Sequence, residues 1–240
     1  PSARMNQTEV EKLMEEEVKH FTIMLDNLKG YKCPIIANNF EKPFYRVMGN
    51  YDACCIYGKT YFIEQINLKL KEYIMQHDGI YLNDIDYLSS YYGIKEWSEP
   101  TGWYMYKMFP SMNACPLLAK NISNIISAIY GKTKKIIAVD LDNTLWGGVV
   151  GEEGIDGIAI GNGDGEAEMY LEFQQYLKEL RDTGILLAVV SKNDYSLAIE
   201  AINQSDGLLK EKDFSAIKAN WNQKSNNIKE ISRELSITPS

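Results

Sequence analysis

The sequence predicts an α/β protein whose parallel strands are covered by helices, and three observations carry that prediction. Short apolar runs alternate with stretches of helical periodicity, most regularly after residue 132. Such alternation implies βαβ units and a parallel sheet. Three of the apolar runs stop abruptly in polar residues, at Asp140/Asp142/Thr144, at Ser191/Lys192/Asn193 and at Asn220/Asn222/Lys224. Ligands on such sheets bind beyond the carboxyl ends of strands. A basic connector, "KTKK" at 132–135, separates this regular part from a less regular one, so residues 1–131 and 132–240 are read as two domains.

Taken in order, residues 9–28 place Val10, Leu13, Met14, Val18, Phe21, Met24, Leu25 and Leu28 at helical spacing. "CPIIANNF" (33–40) reads as a short buried strand after a proline break. Residues 60–77 read as a helix with Ile63, Ile66, Leu70, Tyr73 and Ile74 inward. "GIYLND" (79–84) is a second short strand, "DIDYLSSYYG" (84–93) a helix closed by Gly93, and 97–110 an irregular aromatic stretch. A helix over 113–131 stops at Gly131. The second part begins with a strand at 135–139. A helix follows over 166–182, with Met169, Tyr170, Phe173, Tyr176, Leu177 and Leu180 on its inner side. Next come a strand at 185–191, a helix from Asp194 to Gln204 and a strand at 214–220. The last element is a helix from Lys224 with Ile228, Ile231 and Leu235 inward.

Composition excludes several classes of function. Over 240 residues, 45% are apolar and 24% charged, which is the make-up of a folded protein. The net charge of −8, without a basic stripe, argues against nucleic acid. The longest apolar runs, such as "GILLAVV", are too short for a membrane span. The polar, acidic start shows no signal peptide, so a cytoplasmic protein is expected. Cys33, Cys54, Cys55 and Cys115 form no CxxC pair, and His20 and His77 are the only histidines. A zinc site is therefore not expected, and reduced thiols are.

The strand-end acids carry the chemistry. In an extended segment, residues two apart point to one side, so Asp140 and Asp142 share a face. Two close carboxylates repel unless a cation joins them, and oxygen ligands favour Mg²⁺. Ionised Asp140 is then placed to attack phosphorus, Asp142 to carry the proton of the leaving oxygen, and Ser191 with the amides near Asn193 to hold phosphoryl oxygens. Lys224 neutralises the charge. Taken alone, the acid pair would equally fit a polar turn after a strand. Trp146, Gly147, Gly148 and Gly151 fit either a mobile flap over the site or a tight turn using glycine.

"VDLDNTL" resembles the first motif, DxDxT, of the haloacid dehalogenase (HAD) superfamily, "VVSKND" its second, and the lysine of "NWNQKSNN" its third. The longer string "KIIAVDLDNTLWGGVVGEEGIDGI" is similar to FkbH-like proteins in particular, over about residues 79–240. The resemblance implies a Rossmann-like parallel core over 132–240, with Asp140 as nucleophile and metal ligand. It makes Asp142 the general acid/base and a ligand of Mg²⁺ through its carbonyl. Thr144 would orient the loop, Ser191 bind phosphate with Asn193 nearby, and Lys224 stabilise the phospho-intermediate. It further implies a phosphorylated small-molecule substrate. FkbH-like proteins take a glyceryl unit from 1,3-bisphosphoglycerate, remove phosphate and load the glyceryl on an acyl carrier protein thiol for polyketide assembly.

Two departures from the family pattern stand out. The fourth motif, an acidic pair after another strand, is not reached before Ser240, so weak Mg²⁺ binding by this chain and a sheet short of one strand are expected. Val190 stands where many relatives have cysteine, which puts acyl transfer in question but not phosphate chemistry. Residues 1–131 look somewhat like the later half of an SGNH-hydrolase-like α/β domain. They lack its Gly-Asp-Ser nucleophile segment and Asp-x-x-His end, and no catalysis is assigned to them. The aromatic cluster Trp97, Trp103, Tyr104, Tyr106 and Phe109 is read as interdomain packing, with a carrier-protein docking surface as the alternative. Besides glyceryl loading, two rival functions are carried: a phosphatase acting on a small ester, and a non-catalytic partner-binding module.

Overall fold

The computed structural model describes Pro1, Ser2 and residues 4–237. The closing stretch "ELSITPS", read as lacking a further element, runs into Thr238, Pro239 and Ser240, which lie outside the described residues. The chain divides into two compact units, Pro1–Lys132 and Thr133–Ser240.

In the first unit, α1 (Gln7–Lys29) starts at a capping box. Asn6 Oδ1 accepts the Glu9 amide at 3.0 Å, and Glu9 Oε2 accepts the Asn6 amide at 2.7 Å. Its buried Val10 and Met14 pack on Phe62, Ile66 and Leu70 of α2 (Lys59–Met75). Strand β1 (Ile35–Asn38) pairs in parallel with β2 (Ile80–Asn83), from Ile35 opposite Ile80 to Asn38 opposite Asn83. Contrary to the expectation of a buried strand, β1 is half-buried and its Asn38 is exposed. Among the described residues it has one strand neighbour.

Asp84 caps α3 (Ile85–Tyr92), which Gly93 closes at φ +100°. The stretch expected to be irregular instead forms helical turns, α4 (Ile94–Trp97) and α5 (Pro100–Tyr106). Pro100, at the first helical position, presets φ, and Lys107 in the left-handed region ends the helix. Trp97 does not join an aromatic surface. It is buried with Ile85, Leu88 and Ala114 in a core of the first unit, whereas Trp103, Tyr104, Tyr106 and Phe109 are exposed. Helix α6 (Cys115–Ile129) completes the unit.

In the second unit, β3 (Ile136–Val139), β4 (Leu186–Ser191) and β5 (Ala216–Ala219) form a parallel sheet in the order β3-β4-β5. Its register sets Val139 beside Val189 and Ser191 beside Ala219. The central strand is apolar on both faces, as a covered parallel strand must be. One core joins Val139, Leu187 and Val189 to Leu141, Trp146 and Leu177; the other joins Ala188, Val190, Ala216 and Ile231. The helices are α7 (Val150–Glu153), α8 (Gly165–Asp182), α9 (Tyr195–Gln204) and α10 (Lys224–Glu234).

The inner face of α8 is rotated from the expected stripe. Met169, Phe173 and Tyr176 are exposed, while Ala167, Gln174 and Leu177 are buried. The reason is Gln174, 2% exposed. Its amide donates to the Leu145 carbonyl at 2.7 Å and accepts the Leu209 amide at 2.9 Å, so it satisfies two loop groups that an apolar residue would leave unpaired. On α10, Ile231 faces inward as expected but Ile228 is exposed, and Asn227 takes the neighbouring buried position.

Candidate active site

The parallel register brings the three polar loops to one edge. Asp140 follows β3 directly, Ser191 ends β4, and the loop after β5 leads into α10 at Lys224. The Asn220 amide donates to the Ser191 carbonyl at 3.1 Å, which fastens the third loop to the second.

Both carboxylate oxygens of Asp140 are engaged. Lys224 Nζ donates to its Oδ2 and the Leu141 amide donates to Oδ1 at 2.9 Å. Partial burial pushes the Asp140 pKa up, but Lys224, Ser191 and the Leu141 amide together outweigh it and hold the carboxyl below its usual range. The group is therefore an anion, as a carboxylate nucleophile must be.

Asp142 has a separate set of partners. Oδ1 accepts the Trp146 indole N–H at 3.0 Å and the Val150 amide at 3.1 Å. Oδ2 accepts the Asn193 amide at 2.8 Å. Asn193 also donates to Ser191 Oγ at 3.4 Å. Hydrogen bonds thus run from Ser191 through the Asn193 side chain to Asp142. Ser191 and Asn193 are both buried, so this link is shielded from water. The Thr144 amide donates to the Leu141 carbonyl at 3.1 Å and closes the turn that carries Asp142 and Asn143.

The "WGGVVG" segment is a fastened turn in this structure. Trp146 is 1% exposed within the core. The Gly148 amide donates to Asn143 Oδ1 at 3.0 Å and the Val149 amide to Glu153 Oε1 at 3.1 Å. Gly148 has φ +90°, a backbone region that strains any residue bearing a Cβ, so glycine is favoured there. Asn143 itself sits at φ +52°, a region asparagine tolerates.

Sequence reasoning named the acids, Ser191, Asn193 and Lys224; it placed Trp146 in a flap or turn and Asn220 at a strand end without seeing that they support the site, and it missed Asn143 in the first loop and Asn227 behind the third. Asn220 and Asn227 donate amides to each other's Oδ1 atoms at 3.3 and 2.9 Å. The signal available for Asn143 was its place directly after Asp142, where a left-handed residue is needed.

For Mg²⁺ the donors are of the right chemistry. Asp140 offers a hard carboxylate, and Mg²⁺ commonly takes one or two carboxylates with waters and substrate phosphate. The Asp142 carboxylate already accepts three N–H donors, two on Oδ1 and one on Oδ2, which leaves an Oδ2 lone pair for a proton and its backbone carbonyl as the candidate ligand. Among the described residues no cluster of three or more His, Cys, Asp or Glu side chains forms a ready-made cage.

A covered parallel sheet with an acid pair at its carboxyl edge defines a HAD-type α/β protein. The family described as "FkbH, N-terminal domain" matches residues 2–127, more than half of the chain, and the chain belongs to that family. The match extends the likeness over the first unit, where the sequence motifs are sparse. The chain is also similar to the N-terminal part of the protein BF1531 from Bacteroides fragilis, whose crystal structure contains a phosphatase domain complexed with Mg. The identity is 29%, the TM-score 0.89, and the alignment covers 98% of this chain and 62% of that one. This chain thus spans about three-fifths of that relative's length. No curated protein matches it.

Proposed function

We propose that the second unit carries out Mg²⁺-dependent phosphoryl transfer with Asp140 as nucleophile. The observation that carries this reading is the Lys224 ammonium on Asp140, at the strand edge where Ser191 ends the neighbouring strand. An anion kept ionised at a strand end, beside a cation and a buried hydroxyl, suits in-line attack on a phosphate. Asp140 forms the bond to phosphorus as the ester oxygen leaves, and Asp142 supplies the proton that this oxygen takes up. Water then releases phosphate and regenerates the carboxylate. Bound Mg²⁺, held by Asp140 and the Asp142 carbonyl, would neutralise charge on the phosphoryl oxygens. Ser191 and Asn193 hold those oxygens, and Lys224 balances charge on the phospho-aspartate. The Mg-bound phosphatase domain of the Bacteroides fragilis relative supports the metal and the reaction class.

The substrate we assign is a phosphorylated small molecule, a glyceryl phosphate donor such as 1,3-bisphosphoglycerate: an acyl carrier protein thiol attacks the acyl carbon and displaces its phosphate to form the thioester, and Asp140 removes the remaining ester phosphate. Val190 bears on this. It is packed with Ala188, Ala216 and Ile231, so a thiol at that position would lie in the core and not in the acid network. The acceptor thiol is then external. The same observation favours a second reading, release of phosphate with no acyl transfer. No described helix is long and apolar enough to cross a membrane, and the four free cysteines support our assignment to the reducing cytoplasm.

The test is incubation of the full-length protein with labelled 1,3-bisphosphoglycerate, Mg²⁺ and a carrier protein. A mass gain of one glyceryl on the carrier is expected, and phosphate release without it establishes the simpler phosphatase. Retention of phosphate release by Asp140→Asn would refute the nucleophile. Failure to bind both Mg²⁺ and fluoroberyllate would leave a non-catalytic binding module.

A further inference from the structure

The first unit holds a pocket of about 510 Å³, a size that takes a small organic molecule. Its place follows from the topology. Phe40, Glu41 and Lys42 line it, and they follow closely on the carboxyl end of β1. Parallel sheets bind their ligands beyond that edge. Lys59 comes to the lining from α2, and Trp103 and Tyr104 come from α5. Phe44, Tyr45, Trp103, Tyr104 and Phe109 all line the pocket, and all are exposed. A lone exposed aromatic calls for no explanation, but a group of them on one cavity marks a binding surface.

The polar groups narrow the chemistry. Ser98 also lines the pocket, is 8% exposed, and its hydroxyl is buried without a hydrogen-bond partner. Buried hydroxyls are normally paired, so this one is open to a ligand atom. Lys42 stands 3.6 Å from Glu64, whereas Lys59 has no carboxylate partner among the described residues. A third cation, Lys107, lies 5.2 Å from the centroid of the Trp103 ring. The acid on the lining is Glu41. Burial pushes its pKa up; its own backbone amide opposes the rise and Asp86 adds to it. Glu41 is thus a poor counter-charge for the lysines. Positive charge gathers here in a chain whose net charge is −8.

We infer that this pocket binds a small organic acid as its anion, with the apolar body among the aromatic side chains and the carboxylate paired with Lys59. An organic cation would suit the aromatic rings, but the two lining ammonium groups and the third on Trp103 oppose it. Every lining residue belongs to the first unit, so the inference does not rest on the phosphoryl-transfer reading above.

The test is calorimetric titration of the full-length protein with naphthoate, with neutral naphthamide and with naphthyltrimethylammonium. The three share an apolar body and differ in charge. Naphthoate should bind at least about 5-fold more tightly than the amide, the size of one partly exposed ion pair. Lys59→Met, altered at an exposed side chain, should abolish that preference and leave the amide unchanged. Phe109→Ala should weaken acid and amide alike, by about 5-fold. Absence of naphthoate binding, equal affinity for acid and amide, tighter binding of the ammonium, or a preference that survives Lys59→Met overturns the inference. Naphthoate binding that Phe109→Ala leaves unchanged also overturns it, because the anion then sits elsewhere.

Discussion

The indole N–H of Trp146 donates to Asp142 Oδ1 at 3.0 Å from a ring buried in the core of the second unit. One end of this side chain therefore belongs to the hydrophobic interior and the other to the acid network. The proposed proton carrier is held by the core itself, through a tryptophan four residues further along the chain.

Trp146→Phe should separate these two functions. The core keeps an aromatic ring, but a hydrogen bond to a charged acceptor is lost, and such bonds contribute about 1.5–3 kcal/mol. Urea unfolding should show a lower midpoint, with a loss of about that size and an unchanged slope. Trp221→Phe, altered at an exposed ring, should move the midpoint by less than about 0.5 kcal/mol.

Lys224→Met removes the cation from Asp140 while keeping the side chain's reach. Loss of one preorganised stabilising group typically lowers kcat by about 10²–10³-fold. Steady-state phosphate release should show that loss in kcat, and Lys224→Arg should recover only part of it because its fork cannot replace a point charge. A kcat within about threefold of wild type in Lys224→Met would remove Lys224 from the mechanism.

Gln174→Leu should cost more stability than its apolar character suggests. The change leaves the Leu145 carbonyl and the Leu209 amide without their partner. Each buried orphan group costs about 1–3 kcal/mol, so a destabilisation of at least about 2 kcal/mol is expected in thermal or urea unfolding. Phe173→Ala on the exposed side of the same helix should be milder.

Asp84 gives the first unit a pH dependence. Burial raises its carboxyl pKa, but Asn39 at 2.6 Å, the Tyr87 amide at 3.3 Å and Lys71 at 3.2 Å outweigh it and hold the pKa below the ordinary value. A depressed carboxylate contributes stability above its unfolded pKa of about 3.9 and loses it as pH falls through the folded value. The stability gap between wild type and Asp84→Asn should be full near pH 6 and close progressively below about pH 4. Unfolding midpoints at a series of pH values check the direction, and a gap that widens on acidification would contradict the assignment.

The fold was legible where local patterns decide it. Helix boundaries at Asp84 and Gly93 follow from capping and left-handed backbone chemistry written in neighbouring residues, whereas the capping box at Asn6, which starts the first helix ahead of residue 9, was not read. The strand ends were visible because apolar runs stop sharply. The inner face of α8 was not legible, since a periodicity count ranks Met169 and Tyr176 above Gln174. It cannot register that two loop groups from elsewhere in the chain need an amide between them. Trp97 and the helical turn after Pro100 were missed for a related reason: an aromatic-rich stretch looks irregular until its partners, Ile85, Leu88 and Ala114, are known.

The sequence alone determined the parallel α/β class and the identity of the acids, hydroxyl and lysine, because strand ends and the DxDxT spacing are local properties. The tertiary structure decided which of them meet. Lys224 lies 84 positions from Asp140 and reaches it because β4 stands between β3 and β5 in register. It also decided that Asn193 ties Ser191 to Asp142 and that Trp146 supports that acid. The reason is physical: a residue's own polarity fixes what it requires, while its partner is set by backbone hydrogen bonds between strands far apart in the chain.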